Sequence, residues 1–147
     1  MRTKRKSKVK RNSKKKVIQK SKPSQIVQFI QHTMDFLATI KMFHWTTEFF
    51  SIHKATDELY GKLQTFMDHY VEASIGHYNE SFKNKVKSIQ ITNLQTTEKL
   101  NNYTIRYKNT LRKIRDNLTE EKESELINIL DDMLTELDVL LYLLKLK

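Results

Sequence analysis

Residues 44–75 read HWTTEFFSIHKATDELYGKLQTFMDHYVEASI, and this stretch decides the reading of the whole chain. From residue 51 onward Ile52, Leu59, Leu63, Phe66 and Tyr70 recur at intervals of seven, four, three and four, which is one face of an α-helix. Ser51 is placed to cap that helix, and Gly76 stands where a left-handed C-terminal residue is wanted, so the helix is expected over 51–75. The polar residues of the stretch also fall into line. At about 100° per residue, Asp57 lies about 40° from His53, Asp68 about 60° and Glu72 about 100°, so the four share one stripe. His53 and Asp57 are one turn apart, as are Asp68 and Glu72, and each pair has the spacing to grip a metal ion. Asp57 and Asp68 are separated by about 16 Å along the axis, so the two pairs of one helix cannot share an ion. Either the pairs serve separate sites or a plain solvated face, or a second copy of the helix runs antiparallel across a two-fold axis. In that second case the His–Asp pair of one chain meets the Asp–Glu pair of the other. A mixed imidazole and carboxylate set suits iron, with manganese or zinc also compatible.

Outward from this helix, the same periodicity continues on both sides. A preceding helix is expected over 23–46, with Pro23 in its first turn and Val27, Ile30, Met34, Leu37, Ile40 and His44 as its stripe. A third helix is expected over 97–117, with Leu100, Tyr103, Tyr107, Leu111 and Ile114, followed by Leu118. A fourth is expected over 119–146, capped by Thr119, with Glu120, Glu121 and Glu123 near the positive end of its dipole and Lys145 and Lys147 at the negative end. Its stripe is Leu126, Leu130, Met133, Leu137, Leu140 and Leu144. Only two glycines and one proline occur in 147 residues, which also favours long helices. Residues 77–96 remain as a long connection, in which 85–91 reads as a short helix or an extended crossing. The expected architecture is an all-α, ferritin-like four-helix bundle, because a long crossover after the second helix separates that class from simple up-and-down bundles.

The first 22 residues differ in kind. They hold twelve basic residues (Arg2, Lys4, Arg5, Lys6, Lys8, Lys10, Arg11, Lys14, Lys15, Lys16, Lys20 and Lys22) and no acid. The whole chain has 27 basic and 17 acidic residues, so residues 23–147 carry 15 and 17, a net of −2. The formal +10 therefore belongs to a disordered basic arm, residues 1–22, attached to a bundle domain over 23–147 that gives no reason of its own to seek a polyanion. Val9, Val17 and Ile18 are too few to offset an ordering cost of about 1–2 kcal/mol per residue. Lysines in this density make sequence-independent, salt-sensitive phosphate contacts the expectation, with DNA, RNA or another polyanion as partner. The arm has no aromatic residue to stack on bases. Nuclear import, or an anionic capsid or membrane surface, fits the same charge. With no cysteine, disulfides, zinc knuckles and thiol catalysis are excluded. No apolar run approaches a membrane span, and the basic start lacks the apolar core of a secretory signal.

Two motifs carry a resemblance. Lys41-Met-Phe-His44-Trp45 resembles the end of the first helix of the Dps family, the DNA-protection proteins of starved cells. His53-x3-Asp57-x10-Asp68-x3-Glu72, with Asp68-His69 adjacent, resembles that family's ferroxidase pattern. The resemblance implies that His44, His53 and Asp57 bind iron from one subunit and Asp68 and Glu72 from its two-fold mate, with Trp45 beside the site. It implies iron oxidation by peroxide or oxygen, a homo-oligomer built from two-fold dimers (twelve subunits in that family), and DNA binding by the lysine-rich arm in a cytoplasmic, nucleoid-associated setting. The gap from His44 to His53 is three residues shorter than that family's, so the first turn differs. The HW…H…D…D…E order also resembles an uncharacterised ferritin-like family of large eukaryotic DNA viruses. That points to a virion or the host nucleus or cytoplasm, and to a structural or genome-packaging role without redox chemistry. The Glu-x-x-His pairs of an intra-subunit di-iron bundle are absent. Set against these roles, His44 also reads as a hydrogen-bonded core histidine, Trp45 as a packing residue, and His32, His69 and His77 as surface or structural. Gly61 reads as a point of close helix approach.

Overall fold

The computed structural model describes residues 25–79, 83, 85–86 and 88–146. The basic residues from Arg2 to Lys22, expected to contact nucleic acid, lie outside the described residues, as do Pro23 and Lys147. The chain forms four helices, α1 (Gln25–Thr46), α2 (Phe50–Tyr78), α3 (Thr97–Asp116) and α4 (Glu120–Leu143), and no strand occurs among the described residues. This is an all-α four-helix bundle. No helix among the described residues is long and apolar enough to cross a membrane.

Helix packing fixes the path. α1 packs on α2 and α3, and α4 packs on the same two, so α1 and α4 stand across one diagonal and α2 and α3 across the other. Gln25 Nε2, at the start of α1, donates to the Ile114 carbonyl near the end of α3 at 2.5 Å. The Tyr78 hydroxyl, at the end of α2, donates to Glu123 in the first turn of α4 at 2.6 Å. α1 and α4 therefore run one way and α2 and α3 the other, which obliges the connection after α2 to travel the length of the bundle. It does so along α1. The Gln31 side chain donates to the Ser88 carbonyl (2.6 Å), the Gln90 N–H to Asp35 Oδ1 (2.7 Å) and the Thr92 N–H to Thr39 Oγ1 (3.0 Å). Of the two forms open to 85–91, the described residues take the extended one, because α1 side chains hold the backbone groups that a helix would pair internally.

The expected stripes form the core, with Leu59, Leu63, Leu100, Leu111, Leu126, Leu130, Met133 and Leu137 all buried. α1 buries more than its expected stripe. Phe29, Phe36 and Phe43, seven residues apart, are buried as well, Phe29 against Tyr70 and Phe36 against Tyr107 at centroid distances of 4.0 and 4.1 Å. Two helices and the crossover cover α1, so one apolar face is not enough for it.

Helix ends shift for local reasons. α2 begins at Phe50, because the His53 N–H closes the first turn onto the Phe49 carbonyl at 2.9 Å, and Ser51 then lies inside the helix where its hydroxyl cannot cap. α2 also continues past Gly76. Asn79 takes the left-handed C-cap instead, at φ 49°, ψ 41°, a conformation asparagine tolerates. Thr119 is the N-cap of α4, but the bond runs in reverse: its N–H donates to Glu123 Oε2 at 2.7 Å. α4 ends at Leu143, before the expected 146, because the Lys145 and Leu146 N–H groups turn back in tighter bonds to Tyr142 and Leu143.

Candidate functional site

The three-residue turn 47–49 folds the last turn of α1 against the first turn of α2. There His44 and His53 stack, with ring centroids 3.9 Å apart and planes 24° apart. Each ring reaches the other's backbone: His44 Nδ1 lies 2.9 Å from the His53 carbonyl oxygen, and His53 Nδ1 lies 3.0 Å from the His44 carbonyl oxygen. A carbonyl oxygen only accepts, so each Nδ1 carries a proton. In the neutral ring this leaves Nε2 as the open lone pair on both histidines. Metal-binding histidines are held the same way, one nitrogen donating to a carbonyl and the other coordinating. Thr56, buried below, donates to the Ile52 carbonyl at 2.8 Å and stands 3.4 Å from His44 Nδ1.

Asp57, one turn after His53, places Oδ1 3.6 Å from His44 Nε2. The same oxygen is 3.2 Å from Lys41 Nζ. The Lys41 hydrogen bond holds the Asp57 carboxyl below its ordinary value of 3.8, against the opposing effect of desolvation. Lys41 also lies over the Tyr60 ring, 4.8 Å from its centroid. His44 is 6% exposed and is thus a hydrogen-bonded core histidine whose remaining nitrogen faces the carboxylate. His77, by contrast, pairs with Glu125 at 3.0 Å in a structural contact far from this cluster.

Of the five residues singled out as metal ligands, the fold brings together His44, His53 and Asp57. Asp68 and Glu72 lie further along α2, exposed on the same face, and neither has a hydrogen-bond or ion-pair partner among the described residues. Among the described residues no three His, Asp or Glu side chains form a group set to hold one ion. Gly61 lies between the two pairs. A Cβ there would meet nothing within 4 Å, so the close helix approach expected at Gly61 does not occur among the described residues. Trp45 is not a packing residue either. It is 65% exposed, and Phe49 (63%) and Phe50 (77%), at the turn between α1 and α2, are exposed as well. Thr56 and the two carbonyls escaped the sequence reading, and Lys41 entered it only as part of a motif, without a role. Lys41 alone left a signal, since it precedes His44 by three residues on the same helical face.

A four-helix bundle with a locked histidine pair and a carboxylate at one end of α2, and two free carboxylates at the other, is the class that fold and site define. The chain belongs to DUF5856, a family of unknown function, whose model matches residues 44–144. The match opens on His44 and takes in His53, Asp57, Asp68 and Glu72. No curated protein and no solved structure matches the chain significantly.

Proposed function

We propose that this is a Dps-like protein of ferritin-like fold, which binds nucleic acid through its basic arm and oxidises ferrous iron at a site shared across a two-fold dimer interface. The observation that carries the reading is the reciprocal histidine lock. It orients two Nε2 lone pairs, that of His44 3.6 Å from the Asp57 carboxylate, and we read this as half of a mixed imidazole–carboxylate iron site. The free carboxylates of Asp68 and Glu72 are the other half. A two-fold axis placed between residues 62 and 63 of an antiparallel α2 pair sets His53 against Glu72 and Asp57 against Asp68. The same register puts Gly61, with open space over its Cα, opposite Gln64. It also puts Phe50 opposite Ile75, and both of these apolar residues are exposed. Self-complementarity of this kind is what a two-fold interface requires.

The donors fit iron, with manganese or zinc admissible. Here iron is the substrate: two ferrous ions give up one electron each, and one peroxide takes both, with two protons, to leave as two waters. An incoming ion has to compete with Lys41 for Asp57. The twelve basic residues of the arm supply phosphate contacts that hold this chemistry close to nucleic acid.

The test is ferrous oxidation by peroxide, followed by absorbance, in the full chain and in an Asp57→Ala, Glu72→Ala double variant of unchanged helical content. Loss of tenfold or more in rate, with a wild-type mass in solution of a dimer or a multiple of it, is expected. Equal rates sink the reading.

The Lys41–Asp57 pair favours a second reading. An ammonium already satisfies the carboxylate, so the same bundle and arm would serve a structural or genome-packaging role without redox chemistry. In that case the wild-type chain neither takes up nor oxidises iron.

A further inference from the structure

The net charge of the folded part conceals a strong separation between two neighbouring helices. α3 carries six basic residues (Lys99, Arg106, Lys108, Arg112, Lys113 and Arg115) against the acids Glu98 and Asp116. α4 carries eight acids against Lys122. Where the two helices meet, their charges are paired: Lys108 with Asp138, and Arg115 with both oxygens of Asp131 at 2.5 and 3.0 Å. The cations turned away from α4 are not. Lys99 reaches only the neutral Gln95 side chain, at 2.6 Å. The Arg106 guanidinium lies over the Tyr103 ring, 5.6 Å from its centroid. Arg112 and Lys113 have no partner among the described residues.

These free cations form a row. Lys99, Asn102, Arg106, Asn109 and Lys113 follow one another at intervals of three and four, and all five are exposed. At about 100° per residue they cluster opposite the buried stripe of Leu100, Tyr107, Leu111 and Ile114. The row is about 21 Å long with cations about 10.5 Å apart. That matches the rise of about six base pairs of duplex, at 3.4 Å per phosphate along each strand. The asparagine amides between the cations are donors suited to phosphate oxygens. Glu98 and Asp116 close the row at its two ends and limit its extent.

Gln25, the first residue of α1, is bonded to the Ile114 carbonyl, one residue from Lys113. The described chain therefore begins beside the C-terminal end of the row.

We infer that the outer face of α3 is a folded docking surface for the phosphodiester backbone of nucleic acid, with Lys99, Arg106 and Lys113 as its contacts. It rests on the arm reading only for the choice of nucleic acid as the polyanion. Contacts of this kind position a duplex without reading its sequence.

The experiment measures duplex-DNA affinity against salt for the full chain, for Lys99→Gln, Arg106→Gln, Lys113→Gln, and for a control of equal charge change, Lys54→Gln, Lys122→Gln, Lys145→Gln, on other faces. All six positions are exposed, and circular dichroism with the melting temperature checks folding. The α3 variant is expected to lower the slope of log K against log salt by roughly 2–3, at about 0.9 for each phosphate no longer neutralised, with the control near wild type. An α3 variant no different from the control overturns the proposal, since the effect is then net charge alone. Binding of the wild-type chain to phosphatidylserine vesicles but not to DNA overturns it as well. A chain lacking residues 1–22 separates the two readings: full DNA affinity in that chain defeats the arm and leaves the α3 comparison intact.

Discussion

α2 carries candidate ligands at both ends of one stripe, and the two ends treat them in opposite ways. At the N-terminal end, His53 and Asp57 are held in place by α1: the histidine rings lock onto each other's carbonyls, and Lys41 holds the carboxylate. At the C-terminal end, Asp68 and Glu72 stand in solvent with no partner among the described residues. Two pairs at the same four-residue spacing thus end differently, one held by its neighbours and one open. The difference comes from the neighbours. α1 ends beside residues 53–57, while no helix among the described residues lies over the outward face at 68–72. Under the proposed reading, a second copy completes the site and the oriented pair sets its geometry.

The largest effect that bears on this comparison is at the midpoint. Leu63 is fully buried between the two halves. Leu63→Ala should lower the free energy of unfolding by about 2–5 kcal/mol in urea titrations. Trp45, the sole tryptophan, reports the histidine end, whereas far-ultraviolet circular dichroism reports the whole bundle. Coincident transitions by both probes make α2 one cooperative unit with two chemically different ends. Separate transitions break the comparison, because the ends would then differ in folding and not only in partners.

A smaller effect sharpens it. His44→Ala removes a buried ring and its bond to the His53 carbonyl, and should cost about 1–3 kcal/mol. Asp68→Ala, with nothing to lose within its own chain, should stay within about 0.5 kcal/mol at concentrations where the chain is monomeric. Equal costs at the two positions would mean that the histidine lock contributes nothing to the fold.

The four helices were legible because each carries an apolar stripe at spacings of three and four, and Leu100, Leu111, Leu126 and Leu130 are where that pattern puts them. Phe29, Phe36 and Phe43 were not, since a stripe argument supposes one covered face, whereas α2 and α3 together cover a wider arc of α1. The crossover's course along α1 leaves no periodic trace; it depends on single bonds such as Gln90 N–H to Asp35. The end of α2 was misplaced because a glycine is the strongest left-handed signal, yet Asn79 adopts that conformation three residues later. At the site, His53, Asp57, Asp68 and Glu72 were legible as a spacing. The lock was not, because two of its four polar partners are backbone carbonyls, which every residue has. Nor was the role of Lys41, which depends on how the α1–α2 turn sets one helix against the other.

The smallest expected effect concerns that lysine. The Lys41 hydrogen bond depresses the Asp57 carboxyl in the folded chain, so the unfolded chain binds this proton more readily. The pair therefore contributes stability above the ordinary value of 3.8, and that contribution fades as pH falls through the lower folded value. Asp57→Asn removes the carboxylate charge at every pH. Its melting temperature should lie slightly below wild type at pH 7, and the two should converge once pH falls below the depressed folded value. The contact is exposed, so the gap at pH 7 should also narrow as salt is raised. A gap that persists unchanged once the carboxyl is protonated in both states would show that Asp57 acts through packing and not through Lys41. A gap of reversed sign at pH 7 would mean that the carboxylate is a net cost to the lone chain, as expected of a ligand kept for a cation other than the lysine beside it.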